Sequence, residues 1–168
     1  MQALGVRLDD QVLALLRDQV GAIIIGTVFL FVGLVACFIA AIRGHGGVRI
    51  LVWFGIFNIM YGAITLVQVP AAFSLLPRST WAIRPYVAPI INYLIIIPAL
   101  LFWMELSRGR IRRFVQVATI ATAIVGIAGV YSTIFTQSSS RFMPYSNLMS
   151  ILVILVLLAL AQIGRAHV

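Results

Sequence analysis

Five long apolar stretches follow one another along the chain and constrain its fold more than any other feature. They cover residues 20–42, 50–69, 86–104, 114–135 and about 145–162. About 20 apolar residues suffice for a helix to cross a hydrocarbon core of roughly 30 Å. A transmembrane strand would alternate apolar and polar residues, whereas "AIIIGTVFLFVGLVACFIAAI" is apolar on every side. The sequence therefore predicts an all-α integral membrane bundle of five transmembrane helices.

The composition agrees with a membrane protein and argues against a nucleic-acid-binding one. Only 10% of the residues are charged, against about 25% in soluble domains. The net charge of +8 is carried by arginines between the apolar stretches, which is typical of loops that face anionic lipid. We expect the lipid bilayer as a partner and no nucleic acid. The single cysteine, Cys37, excludes an intrachain disulfide.

The arginines also predict the orientation of the chain, because they fall unevenly on the two sides of the predicted spans. The loops alone carry six on one side and three on the other: Arg43, Arg49, Arg108, Arg110, Arg112 and Arg113 against Arg78, Arg84 and Arg141. The richer side faces the cytoplasm by the positive-inside rule. We therefore expect a multi-pass protein of the bacterial inner (cytoplasmic) membrane with its N-terminus outside.

Residues 1–19 precede the first span and contain "LDDQVLALLRDQV". Leu8, Val12 and Leu15 recur at helical spacing, which indicates a short amphipathic helix at the outer interface. A frayed tail is the alternative. The segment lacks the basic start of a cleavable signal peptide.

No catalytic, metal or cofactor site is predicted. Every connector is short, and the five apolar stretches contain no Asp, Lys, Arg or His. Intramembrane catalysis and metal binding need such groups at depth. We therefore do not expect this chain to be an enzyme or to hold a cofactor.

The strongest candidates for a ligand pocket are two amide–aromatic pairs within the spans. They are Asn58 with Tyr61 and Asn92 with Tyr93. A pocket needs a few polar groups on an apolar wall, which these pairs would supply. Hydrogen bonds between helices are the alternative role for such residues, and the one we favour.

Two further patterns concern the fourth span and the connector before it. Thr122 with Gly126, and Gly126 with Gly129, place small residues on the fourth span and predict close helix packing there. The connector "SRGRIRR" follows Glu105, and together they predict a cytoplasmic anchor or signalling connector formed by Glu105, Arg108, Arg110, Arg112 and Arg113. For Glu105, a structural carboxylate at the interface is favoured over a proton carrier.

Three stretches together resemble a known family: "LVWFGIFNIMYGAITLVQVP", "YLIIIPALLFWMELSRGRIRRFVQ" and "RFMPYSNLMSILVILVLLAL". They are similar to the multi-helix, seven-transmembrane-type N-terminal sensor regions of bacterial signalling proteins, including two-component systems, over residues 18–161. The landmarks are Trp53, Gly55, Tyr61, Gly62, Pro98 and Glu105. The resemblance implies signal reception coupled to a cytoplasmic histidine kinase, PPM-type phosphatase or diguanylate cyclase domain. It carries over no catalytic residue, and the chain departs from the family in having five predicted helices and no folded periplasmic domain.

The last residues, "IGRAHV", resemble the translation of a sequencing-library adapter, so residues 163–168 are interpreted as a non-native tail. A natural arginine anchor is the alternative. With the family resemblance, this predicts a truncated sensor bundle, residues 20–162, whose partners are the missing output domain and a second copy of the chain. The alternative functions are a small transporter or channel subunit and a structural subunit of a membrane assembly.

Overall fold

The computed structural model describes residues 2–43, 48–70 and 83–135, together with seven single positions: Pro144, Tyr145, Asn147, Leu148, Ile151, Val153 and Leu155. Its helices are α1 (Gln2–Arg43), α2 (Val48–Gln68), α3 (Arg84–Leu94), α4 (Ile96–Leu106) and α5 (Gly109–Phe135). The described residues contain no strand, so the all-α prediction is confirmed.

Four helical segments are long and apolar enough to cross a membrane. They are Gln19–Arg43, Val48–Gln68, Arg84–Leu106 and Ile111–Phe135. They match the first four predicted spans to within a few residues. The seven single positions within or beside the predicted fifth span are helical, but the rest of that span and the tail 163–168 lie outside the described residues. Five spans therefore remain a prediction.

The segment predicted as a separate N-terminal helix is continuous with the first span. The helix α1 runs unbroken for 42 residues, which corresponds to about 63 Å at 1.5 Å per residue. That length is about twice the roughly 30 Å thickness of a hydrocarbon core. Residues before Gln19 therefore extend the first span as one rod, and no loop separates them from it.

Glycines bring α1 and α2 into contact along their backbones. Each helix carries two glycines seven residues apart, Gly26 and Gly33 on α1, Gly55 and Gly62 on α2. A Cβ added to Gly33 would lie 2.7 Å from the Gly55 carbonyl oxygen, and one added to Gly62 would lie 2.6 Å from the Gly26 oxygen. Seven residues are close to two turns, so each pair faces the partner helix. The two helices are antiparallel and packed as closely as their backbones allow.

The third predicted span, residues 86–104, was expected to be one helix, but the structure divides it into α3 and α4 at Ile95. Pro98 explains the division, because it has no N–H to donate to the Leu94 carbonyl and its ring crowds that oxygen. Ile95 itself keeps right-handed helical angles, with φ −61° and ψ −29°, and donates its N–H to the Ile91 oxygen at 2.8 Å. The chain therefore continues in nearly the same direction through a local break.

The described core lies between α4, α5 and one residue of the predicted fifth span. Leu100 of α4, Val115 and Ala118 of α5, and Val153 form a buried apolar cluster. Ile96, Met104 and Ile111 pack around it, partly buried. Leu100 lies two residues after Pro98, so the break in the third span borders this cluster.

We predict that Gly33→Ala lowers the free energy of unfolding by about 1–3 kcal/mol, because the new methyl group meets the backbone of α2. The matched control is Gly21→Ala on the same helix, where an added Cβ meets nothing within 4 Å. The control should leave stability unchanged or raise it by up to about 1 kcal/mol, because alanine is the better helix former. Denaturant titration in detergent micelles, followed by circular dichroism, measures both. Equal effects of the two substitutions would contradict the close contact.

Candidate functional site

The first predicted pair, Asn58 and Tyr61, lies on α2, with the two side chains in different environments. Asn58 is 3% exposed, and its amide nitrogen donates a hydrogen bond of 2.7 Å to the Phe54 oxygen. Tyr61 is 41% exposed. Its ring packs 4.8 Å from the Phe29 ring of α1 and 6.2 Å from that of Phe57, between centroids.

The second pair, Asn92 and Tyr93, lies on α3. Asn92 is half-buried, and Tyr93 is 1% exposed. A Cβ added to Gly126 would lie 3.1 Å from the backbone carbonyl oxygen of Tyr93. One added to Gly129 would lie 2.7 Å from the Tyr93 ring. Tyr93 therefore fills the surface of α5 that the two glycines leave open. The two tyrosines of the predicted pocket pack against different helices.

Several polar side chains inside the spans bond to their own helix. The Thr65, Thr119 and Thr133 hydroxyls donate to the carbonyl oxygens four residues earlier, at 2.8, 2.7 and 2.9 Å. The Asn58 amide does the same. Each of these four groups thus donates a hydrogen bond within its own helix, whereas for Asn58 we expected a bond between helices. At these four positions, the polar group is satisfied within the helix that carries it.

A cleft with polar groups lies elsewhere, where α2 ends and α3 begins. This Gln68–Arg84 cleft has a volume of 490 Å³ and is lined by Val67, Gln68, Arg84, Pro85 and Ala88. Its carboxamide and guanidinium can donate hydrogen bonds to a carboxylate or carbonyl group. Sequence reasoning missed this cleft.

Two apolar clefts lie nearer the other end of α2. The α1–α2 groove has a volume of 240 Å³, and the α2–α4 cleft one of 220 Å³. Phe54 lines both of them. None of the four predicted pocket residues lines either of these clefts or the Gln68–Arg84 cleft. The assignment of a ligand to those four residues stays a prediction.

The five residues of the predicted connector lie around a two-residue link between α4 and α5. The link consists of Ser107 and Arg108. Glu105 is partly buried near the end of α4, while Arg108, Arg112 and Arg113 are exposed. Arg110 is helical, and its side chain lies outside the described residues. Gly109 begins α5 with φ +59°, a left-handed conformation that glycine adopts without strain. The sharp turn therefore depends on Gly109, and Arg108, Arg112 and Arg113 are exposed beside it.

Metal binding has no support in the part of the chain that the structure describes. No group of three or more His, Cys, Asp or Glu side chains lies close enough there to hold an ion. Cys37 is partly buried against Gly55, with its sulfur 2.5 Å from the position of an added Cβ. Its observed role is packing between α1 and α2.

The chain matches no family model, no curated protein and no solved structure in the comparisons with known proteins.

We predict that Tyr93→Ala costs about 3–5 kcal/mol of unfolding free energy, because removal of the ring leaves a cavity against Gly129. Tyr93→Phe keeps the ring in place and should cost much less. Thermal unfolding of both variants in detergent separates the contribution of the ring to stability from that of the hydroxyl. A loss as large for Tyr93→Phe as for Tyr93→Ala would mean that the hydroxyl, and not ring packing, dominates.

At the connector, Gly109→Ala should cost about 1–2 kcal/mol, because an alanine must adopt φ +59° there. The added methyl group itself meets nothing within 4 Å, so the cost is conformational. Gly109→Asn should recover most of the loss, since asparagine visits the left-handed region more readily. Denaturant titration of the two variants gives the comparison. A stable alanine variant would show that the turn does not require a left-handed residue.

Proposed function

We propose that this chain is the sensory and signal-transmitting region of a bacterial signal-transduction protein of the cytoplasmic membrane. In the intact protein, the resemblance implies a cytoplasmic output module of the histidine kinase, PPM-type phosphatase or diguanylate cyclase type. The region itself performs no catalysis under this proposal. The N-terminus lies outside, and the α4–α5 link faces the cytoplasm.

The observation that carries the proposal is the interrupted third span. It joins the Gln68–Arg84 cleft at one end to the arginine-bearing link at the other. Because Pro98 removes one backbone hydrogen bond, α4 can tilt relative to α3 at lower cost than in an intact helix. Signal transmission needs such an element, with two arrangements that a ligand can bind unequally.

The helix contacts on either side of the break also support a movement of α4 relative to α3. The helices α1 and α2 are held together by glycine contacts, and α3 is fixed to α5 through Tyr93. The segment α4 packs on α5 and Val153 through aliphatic side chains and on α2 through the Phe54 and Phe102 rings. Contacts between side chains of this kind can slide past one another more easily than interlocked backbones. We therefore assign α4 and the α4–α5 link to transmission, with Glu105 and its neighbouring arginines as the connector.

A transporter or channel subunit is the competing function. It would need groups that bind or relay ions at depth, whereas the predicted spans carry no acidic or basic side chain. Substrate-specific flux in liposomes containing the chain would favour the transporter. An intact coding sequence with no kinase, phosphatase or cyclase module following the bundle would contradict our proposal.

We predict two arrangements of the third span, detectable as two distances between spin labels at Ile83 and Leu106. Both positions are exposed, 53% and 52%, so labels should not disturb packing. Pulsed electron paramagnetic resonance on the full chain in lipid nanodiscs, with Cys37→Ala, measures the distribution. Pro98→Ala restores the missing N–H and should merge the two distances into one.

The matched control is a label pair on α5, at Phe114 and Ile134, which are exposed and separated by an uninterrupted helix. That pair should give one narrow distance, unchanged by Pro98→Ala. A single narrow distance for the third span in the unsubstituted protein, identical to that of Pro98→Ala, would show that the break does not act as a hinge.

A further inference from the structure

One aromatic ring separates two apolar clefts on the surface of the bundle. Phe54 of α2 forms a wall of the α1–α2 groove, with Phe31, Val35, Ile39 and Leu51, and 37% of its surface is exposed. The same ring lies 6.0 Å, between centroids, from Phe102 of α4. Two neighbouring clefts of similar volume, 240 and 220 Å³, therefore lie on either side of one side chain.

The α2–α4 cleft is aromatic. Phe54 and Phe57 form its α2 side, and Ala99, Phe102 and Trp103 form its α4 side. Trp103 is 38% exposed, so its indole N–H can donate a hydrogen bond at the mouth of the cleft. Tryptophan is favoured at the boundary between headgroups and hydrocarbon because it combines an apolar ring with one polar group.

Arginines surround the end of the bundle toward which both clefts lead. This arginine end is defined by five exposed residues at two connections: Arg43 and Arg49 beside the α1–α2 connection, and Arg108, Arg112 and Arg113 at the α4–α5 link. Phe54 and Phe102 are in contact. Arg49 lies five residues before Phe54 and Arg108 lies six residues after Phe102, so the two connections lie at a similar height along the bundle. The partly buried Glu105 is the one acidic residue among these helix ends in the described ranges.

The spacing of residues along α1 places the positive charge of Arg43 next to the groove. Ile39 lines the groove, and Arg43 is four residues later on the same helix face. One turn of about 6 Å therefore separates the last apolar lining residue from a guanidinium. An occupant with an apolar chain in the groove and an anionic group one turn higher would match this arrangement.

We infer that Phe54 separates the two acyl chains of a bound anionic phospholipid, one in the α1–α2 groove and the other in the α2–α4 cleft. Its phosphate lies at the arginine end, within reach of Arg43 and Arg49. Apolar walls alone would accept any lipid, and the arginines supply the preference for negative charge. A second copy of the chain would fit less well, because it would bring its own arginines to the same level. The lipid site shares α4 with the proposed signal transmission, but its test does not depend on that function, and either proposal can fail without the other.

Quenching of Trp103 fluorescence by lipids with brominated acyl chains tests the site directly. The full chain carries Trp53→Phe and Trp81→Phe, so that Trp103 is the remaining tryptophan. It is reconstituted in phosphatidylcholine vesicles with increasing fractions of brominated phosphatidylglycerol or, in parallel, brominated phosphatidylcholine. We expect the anionic lipid to bind at least about fivefold more strongly, the ratio expected for one engaged arginine.

Charge variants test the headgroup position. The pair Arg43→Gln and Arg49→Gln should reduce this preference to near unity. The matched control, Arg17→Gln, removes an exposed arginine from the distant part of α1 and should leave the preference unchanged. A preference that survives the double substitution, or equal binding of the two lipids, would overturn the proposal.

Cleft variants test the chain position. Ala99→Leu fills the α2–α4 cleft and should weaken quenching by both brominated lipids, whereas Ala128→Leu, on an exposed position of α5, should not. Displacement of the lipid by inorganic phosphate at constant ionic strength would identify an anion site without a lipid chain. Loss of quenching together with chemical cross-linking of dimers would identify a second copy as the occupant. Either result would overturn the assignment of a phospholipid.

Discussion

The contact between the backbones of α1 and α2 is the constraint on which the rest of the described bundle depends. In a bilayer, apolar side chains gain little by leaving lipid for one another, so helices associate where close approach increases van der Waals contact. The glycines at positions 33 and 55 allow that approach, and Cys37 occupies the small space beside them. The remaining surface of α2 is then free to receive α4 through Phe54 and Phe102. One tight pair thus sets the position from which the other helices are arranged.

The sequence predicted the spans well, because their existence depends on apolar length, a property that each segment carries by itself. It also predicted close packing at Gly126 and Gly129, although not that Tyr93 fills the space. The glycines of α1 and α2 could have been recognised from their seven-residue spacing, but only if the two helices were assumed to pair. The break at Pro98 was concealed by the uninterrupted apolar run around it.

The candidate pocket was less predictable, for a physical reason. An asparagine or threonine inside a span needs a hydrogen-bond partner. The sequence does not show whether that partner belongs to a ligand, to another helix or to the preceding turn of the same helix. For Asn58 the preceding turn supplies one. Tyr61 and Tyr93 both lie near an asparagine in the sequence, yet one is 41% exposed and the other 1%. Burial depends on which helix lies opposite, which no local pattern encodes.

The two-residue link between α4 and α5 has a consequence for how the protein reaches its membrane. Ser107 and Arg108 leave no slack between the helices, and Gly109 turns the chain back at once. A segment of this shape cannot place α4 across the bilayer and leave α5 in water for long, because α5 would expose residues such as Ile120, Ile124 and Ile127. We therefore expect the two helices to enter the bilayer together, as a hairpin whose bend carries the arginines.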